Sequence, residues 1–106
     1  MRQIMLIAAF LAIGGCASMP DEVDERGEVW YYNDTPIPKT HWRVTYHSQV
    51  ELAFICQNAR ALACVIRKEG FCFIHFPVYP RLWLIRHEER HCEGWNHEPK
   101  LPTLSK

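Results

Sequence analysis

Neither charge predominates in this chain: twelve Lys and Arg stand against twelve Asp and Glu, for a formal net charge of zero. Nothing therefore supplies the basic footprint on which nucleic-acid binding depends, and no nucleic-acid partner is expected. No internal repeat, low-complexity tract, Gly-rich phosphate loop, calcium loop or Ser/His/Asp set is evident. An apolar run long enough to cross a bilayer is also missing, because the stretch Ile4 to Ile13 falls well short of the ~20 residues a spanning helix needs. With 106 residues, the chain has room for a single small domain.

What is present begins with that short apolar run. It follows Met1-Arg2-Gln3 and precedes Gly14-Gly15-Cys16, the order of a secretory signal with a basic start and an apolar middle. Ile13-Gly14-Gly15-Cys16 resembles a bacterial lipobox, whose cysteine is lipidated and becomes the first mature residue. The resemblance implies a signal peptide over residues 1–15 and a membrane anchor at Cys16. Since Ala17 and Ser18 are not acidic, it also implies sorting to the outer membrane of a Gram-negative cell, facing the periplasm. The alternative is an ordinary secretory signal cleaved nearby. Several acyl chains on one cysteine would hold far more firmly than a single one. Residues 16–27 end in Met19-Pro20-Asp21-Glu22-Val23-Asp24-Glu25-Arg26-Gly27, which is acidic and poor in apolar groups; it reads as a flexible tether.

The remaining domain, residues 28–106, has a foldable part of roughly Glu28 to Pro102. A core this small usually needs staples. With Cys16 assigned to lipid, Cys56, Cys64, Cys72 and Cys92 remain, and an oxidising periplasm predicts two disulfides. Three pairings are permitted and the spacing does not choose among them. Cys56–Cys64 with Cys72–Cys92 is favoured, since the second bond would pin the C-terminal helix to a neighbouring strand.

Hydrophobic patterning predicts an α+β domain: a small twisted sheet of three to four strands with two helices. Strands are expected at Glu28 to Asn33, Trp42 to His47, Leu62 to Lys68 and Phe71 to Phe76, the last two joined by a hairpin turn at Glu69-Gly70. Ser48 and Glu51 form a capping box ahead of a helix over Gln49 to Ala59, with Val50, Ala53, Phe54 and Cys56 as the candidate inner face. Pro77 and Pro80 end the last strand, Pro80 suiting a first-turn position, and a second helix runs from Arg81 to Glu93.

That second helix carries the main chemical signal. His87-Glu88-Glu89-Arg90-His91-Cys92-Glu93-Gly94-Trp95-Asn96-His97 reads HExxHxxGxxH, a string expected by chance in about one of ten million windows. Residues four apart share a helix face, so His87 and His91 can aim at one ion. Glu88, one step around, can reach a water on that ion without ligating it. Gly94 can end the helix in a left-handed conformation and let His97 return as the third ligand. Three ligands with an open position is the catalytic arrangement for zinc. Cys92, as the neighbour of His91, points about 100° away and is not a ligand.

The string resembles the active-site helix of the metzincin clan of zinc metallopeptidases. The resemblance implies one zinc ion on His87, His91 and His97, with Glu88 as general base activating water against a polarised carbonyl. Only nine residues follow His97 and none is methionine, whereas the clan places a methionine turn there; Glu89 and Arg90 are also charged. A minimal zincin-like domain is therefore expected, with Phe71 to Phe76 as an edge strand able to pair with an extended peptide. Three histidines and a water can hold other divalent ions, so metal identity stays open.

Two functions follow. One is a membrane-anchored zinc hydrolase, most simply a metallopeptidase acting on envelope proteins or peptides. The other is a non-enzymatic metal-binding lipoprotein of a secretion or conjugation assembly. Around the string, His75 reads either as an electrophilic helper or as a core or edge histidine. Tyr79 reads as an oxyanion donor or a packing residue, and Trp83 as the floor of the site or plain core. Trp95 is expected to pack on the post-helix turn. His41 and His47 belong to no second signature.

Overall fold

Residues 19–99 are described by the computed structural model. The signal peptide over 1–15, lipidation of Cys16 and the end of the chain from residue 100 lie outside the described residues. The described residues form two helices and two small sheets of three strands each. The α+β class is as the pattern predicts, but the strands divide between two sheets instead of sharing one. Two compact units are present: Asn33–Asn96, and the flanking segments up to Tyr32 and from His97.

In the flanking unit, β1 (Glu22–Val23) pairs antiparallel with β2 (Val29–Tyr32), Glu22 opposite Trp30 and Val23 opposite Val29. Asp24 builds the turn: Oδ1 accepts the backbone N–H of Arg26 and Glu28, and Oδ2 accepts the Trp30 indole N–H, each at 2.9 Å. Asp21 Oδ2 accepts the N–H of Tyr32 at 2.7 Å. The acidic stretch read as a tether thus folds back on itself. Short acidic side chains satisfy its backbone donors locally, and Asp24 ties the turn to the fully buried Trp30.

The Asn33–Asn96 unit contains a 3₁₀ turn (Lys39–His41), β3 (Trp42–His47), α1 (Gln49–Ile55), β4 (Cys64–Lys68), β5 (Phe71–Pro77), α2 (Leu82–Cys92) and β6 (Trp95–Asn96). β5 lies between β3, to which it is parallel, and β4, to which it is antiparallel. The parallel pair needs a crossover, which α1 and β4 supply. Glu69 (φ 52°) and Gly70 (φ 82°) are both left-handed, giving the two-residue hairpin turn expected between Lys68 and Phe71. Because both edges of β5 are filled, Phe71 to Phe76 is not the edge strand predicted along a cleft. Alternation marks one solvated face and is the same for central and edge strands of such a sheet.

β5 sorts its side chains cleanly. Cys72, Ile74 and Phe76 are buried and form the core with Ile37 and Cys92, while Phe71, Phe73, His75 and Pro77 occupy the other face, half-buried. Burying Ile74 contributes about 2–3 kcal/mol. Cys72–Cys92 ties the inner face of β5 to α2, and Cys56–Cys64 ties the end of α1 to β4, with Cα separations of 5.7 and 5.9 Å. This is the favoured pairing.

α1 is shorter than predicted and rotated. Its capping box forms, Ser48 Oγ accepting from the N–H of Glu51 at 3.2 Å and Glu51 Oε1 from the N–H of Ser48 at 3.0 Å. It ends at Ile55 because Gln57 is left-handed at φ 53°. The N–H of Asn58 then reaches the Ala53 carbonyl and that of Gln57 the Phe54 carbonyl, a Schellman closure. Leu52 is fully buried, whereas Val50 and Phe54 are 79% and 87% exposed. The predicted inner face is therefore corrected to a stripe centred on Leu52. A strand–helix connection with no intervening residue but Ser48 fixes the helix rotation, and that constraint overrides the apolar count.

Candidate metal centre

α2 runs Leu82–Cys92 with Arg81 and Glu93 as caps, so Pro80 precedes the N-cap instead of occupying the first turn. Leu84, Glu88 and Cys92 form its buried stripe, four residues apart on one face. His87 and His91 lie on the adjacent stripe, their rings edge-on with centroids 5.3 Å apart. Trp83, one turn earlier, meets the His87 ring edge-on at 6.5 Å, which places it beside the site as a wall.

The helix terminus is held by its own carbonyls. Arg67 Nη1 donates to the His91 carbonyl at 2.7 Å and the N–H of Ile37 to the Cys92 carbonyl at 2.8 Å. The N–H groups of Asn33 and Asp34 donate to the Gly94 carbonyl at 3.2 and 3.1 Å. Arg67 also donates to the Thr35 carbonyl and faces Asp34 at 3.7 Å. Acceptors that a helix end leaves open are thereby filled, and a cation sits at the negative end of the dipole. Gly94, at φ 103°, reverses the chain, and one ligating nitrogen from each of His87, His91 and His97 comes within 4.8 Å of the others.

Two of these rings have a fixed tautomer. His91 Nδ1 lies 3.0 Å from the Trp95 carbonyl; a carbonyl only accepts, so Nδ1 carries the proton and Nε2 the lone pair. His97 Nδ1 faces Glu28 Oε2 at 3.2 Å, a carboxylate–imidazole pair of the kind that orients metal-ligating histidines. The Trp30 ring lies 4.5 Å from that of His97.

Three imidazoles suit zinc and similar divalent ions. Tetrahedral bonds of ~2.0–2.1 Å require donors about 3.4 Å apart. All four cysteines of the domain are consumed in disulfides. No fourth His, Cys, Asp or Glu joins the group among the described residues. Glu88 is 6% exposed and belongs to the core-facing stripe, about 100° around the helix from His87.

The other named residues separate from this group. Tyr79 is 91% exposed, so it does not pack. Trp95 lies under the Arg90 guanidinium at 4.6 Å, against the last turn of the helix, whereas the sequence predicts packing on the turn after it. His75 lies on the face of β5 opposite Cys72, away from the α2 side. There it meets two residues that belong to no sequence signature. His75 Nδ1 is 3.0 Å from His47 Nε2 and 3.0 Å from Thr45 Oγ1, and Thr45 Oγ1 is 2.8 Å from His47 Nε2. Burial, then the neighbouring His47, holds His75 below the ordinary histidine value of 6.5. Thr45 and His47 alternate correctly in β3, but only the parallel register, Thr45 opposite His75, brings them to it. No family model, curated protein or solved structure matches the chain.

Proposed function

We propose that this chain is a metal-dependent hydrolase, with His87, His91 and His97 holding one divalent ion, zinc by preference, and Glu88 as general base. The observation that carries the reading is the approach of three histidine nitrogens within 4.8 Å on a helix whose glycine return and adjacent carboxylate match HExxHxxGxxH. A bound ion would supply Lewis acidity towards a carbonyl and lower the pKa of a water to about 7. The chain's own part is positioning. Nδ1 contacts with the Trp95 carbonyl and Glu28 orient His91 and His97, and Glu88, next to His87 in the chain and buried, would serve as the base by turning towards the ion. The finer proposal is a zincin-like metallopeptidase acting on envelope proteins or peptides. Lipidation at Cys16 would anchor it to the outer membrane on the periplasmic side, a compartment that suits two disulfides.

A second reading, a metal-binding lipoprotein of an envelope assembly without catalysis, is favoured by two observations. Glu88 shares the core-facing stripe with Leu84 and Cys92, and β5 has no open edge for a peptide. Metal content and peptide-library cleavage decide between them. The hydrolase reading expects one equivalent of zinc and cleavage that falls by ~10²–10⁴-fold in Glu88→Gln with zinc retained. Full zinc loading of the wild type without cleavage of any library member would favour the second reading. For the anchor, Cys16→Ser should move the protein from the membrane to the soluble fraction; unchanged membrane attachment would refute lipidation.

A further inference from the structure

On the sheet face turned away from α2, Thr45 Oγ1, His47 Nε2 and His75 Nδ1 form a triangle with edges of 2.8, 3.0 and 3.0 Å. The three side chains are set by the parallel register of β3 and β5, which puts Thr45 opposite His75 and His47 one step further on the same face. None of them belongs to the HExxHxxGxxH string. We propose that Thr45, His47 and His75 form a second, independent site for a late first-row divalent cation, copper(II) above nickel(II) and zinc(II).

Proton counting gives the first argument. Glu51 Oε1 lies 3.8 Å from His47 Nδ1, and its negative charge favours the tautomer with the proton on Nδ1. His47 Nε2 then presents a lone pair to His75 Nδ1 at 3.0 Å. His75 closes the triangle with hydrogen bonds when Nδ1 is protonated; in its other tautomer the triangle presents three electron-rich atoms and only the hydroxyl proton of Thr45. That second arrangement is the one a cation at the centre would select, since it offers lone pairs from both nitrogens and the hydroxyl oxygen. At 3.8 Å Glu51 contributes charge beside His47 and no hydrogen bond, its Oε1 already accepting from the Ser48 N–H.

Donor type, with a compatible distance, points to the ion class. Donors at right angles on bonds of about 2.1 Å are separated by about 3.0 Å, while tetrahedral zinc asks for about 3.4 Å. The observed 3.0 Å between the imidazole nitrogens is hydrogen-bond distance and is also compatible with the right-angled case. Right-angled nitrogen and oxygen donors suit tetragonal copper(II) or nickel(II), and copper(II) binds tightest in the divalent series. Water can complete the coordination, because Thr45 is exposed and His47 and His75 are half-buried.

The test uses the full-length protein with disulfides intact, stripped of metal by chelator and titrated with copper(II), read by calorimetry and electron paramagnetic resonance. A His87→Ala/His91→Ala double variant, which cripples the first centre, should still bind one copper with a tetragonal two-nitrogen signal. His47→Ala or His75→Ala added to it should abolish that signal, and His41→Ala should leave it unchanged. His75→Asn preserves a polar partner for Thr45 and guards against misfolding; with a native circular dichroism spectrum it should lose copper as well. Glu51→Gln, which keeps the helix cap and removes only an exposed charge 3.8 Å from His47, should weaken binding by no more than a few-fold. The proposal is overturned if the double variant binds no copper, or if folded His75→Asn binds it with an unchanged spectrum.

Discussion

Gly94 shows how much one residue carries. It holds φ 103°, a region that costs an L side chain about 1–2 kcal/mol, and it is the pivot between His91 and His97. Gly94→Ala should lower stability by about that amount in metal-free protein, measured by urea denaturation. It should also weaken zinc binding, because His97 would return at a different height. Equal zinc affinity in the variant would show that the return does not set the third ligand. The triad was legible in sequence because each position in the string has its own geometric duty. Glu88 was legible only as a chemical type: its burial on the stripe of Leu84 and Cys92 depends on which side of α2 meets the sheet. Thr45, His47 and His75 were illegible as a group, since a parallel register between segments some thirty positions apart leaves no local mark.

At the scale of elements, boundaries were readable where a side chain announces them and unreadable where the backbone does so unaided. The capping box of α1 lies in the letters Ser48 and Glu51. The Schellman closure at Gln57 does not, because glutamine occupies the left-handed position that glycine usually signals. Replacing it should be favourable: Gln57→Gly removes the strain and is expected to stabilise the protein by up to about 1 kcal/mol, visible as a raised thermal midpoint. The rotation of α1 has its own test. Leu52, fully buried, should cost about 2–5 kcal/mol as Leu52→Ala. Phe54→Ser should change stability by less than about 0.5 kcal/mol, since the ring is 87% exposed. The reverse ranking would restore the inner face inferred from apolar spacing. β5 makes the same point for strands: alternation revealed which side chains are inside, but not which strands flank them.

For the molecule as a whole, the two disulfides are expected to bear unequally on the proposed metal centre. Cross-links over separations of 8 and 20 residues are worth about 2.5 and 3.3 kcal/mol of unfolded-state entropy, each a large share of the stability of so small a chain. Their positions differ more than their energies. Cys56–Cys64 joins α1 to β4, whereas Cys72–Cys92 joins β5 to the last turn of α2, one residue from His91. Cys56→Ala/Cys64→Ala should therefore lower stability while leaving the zinc affinity of the folded protein within about twofold, because it leaves α2 tied. Cys72→Ala/Cys92→Ala should lower both, since the turn carrying His91 loses its covalent tie to the sheet. Excess zinc should recover part of that stability by mass action, about 2.7 kcal/mol at a hundred times the dissociation constant. Calorimetric zinc titrations of the two double variants, compared at equal folded fraction, measure the difference. Equal losses of affinity would mean that the disulfides act on the centre only through global stability, and that Arg67, Ile37 and the Asn33–Asp34 amides hold α2 in place by themselves.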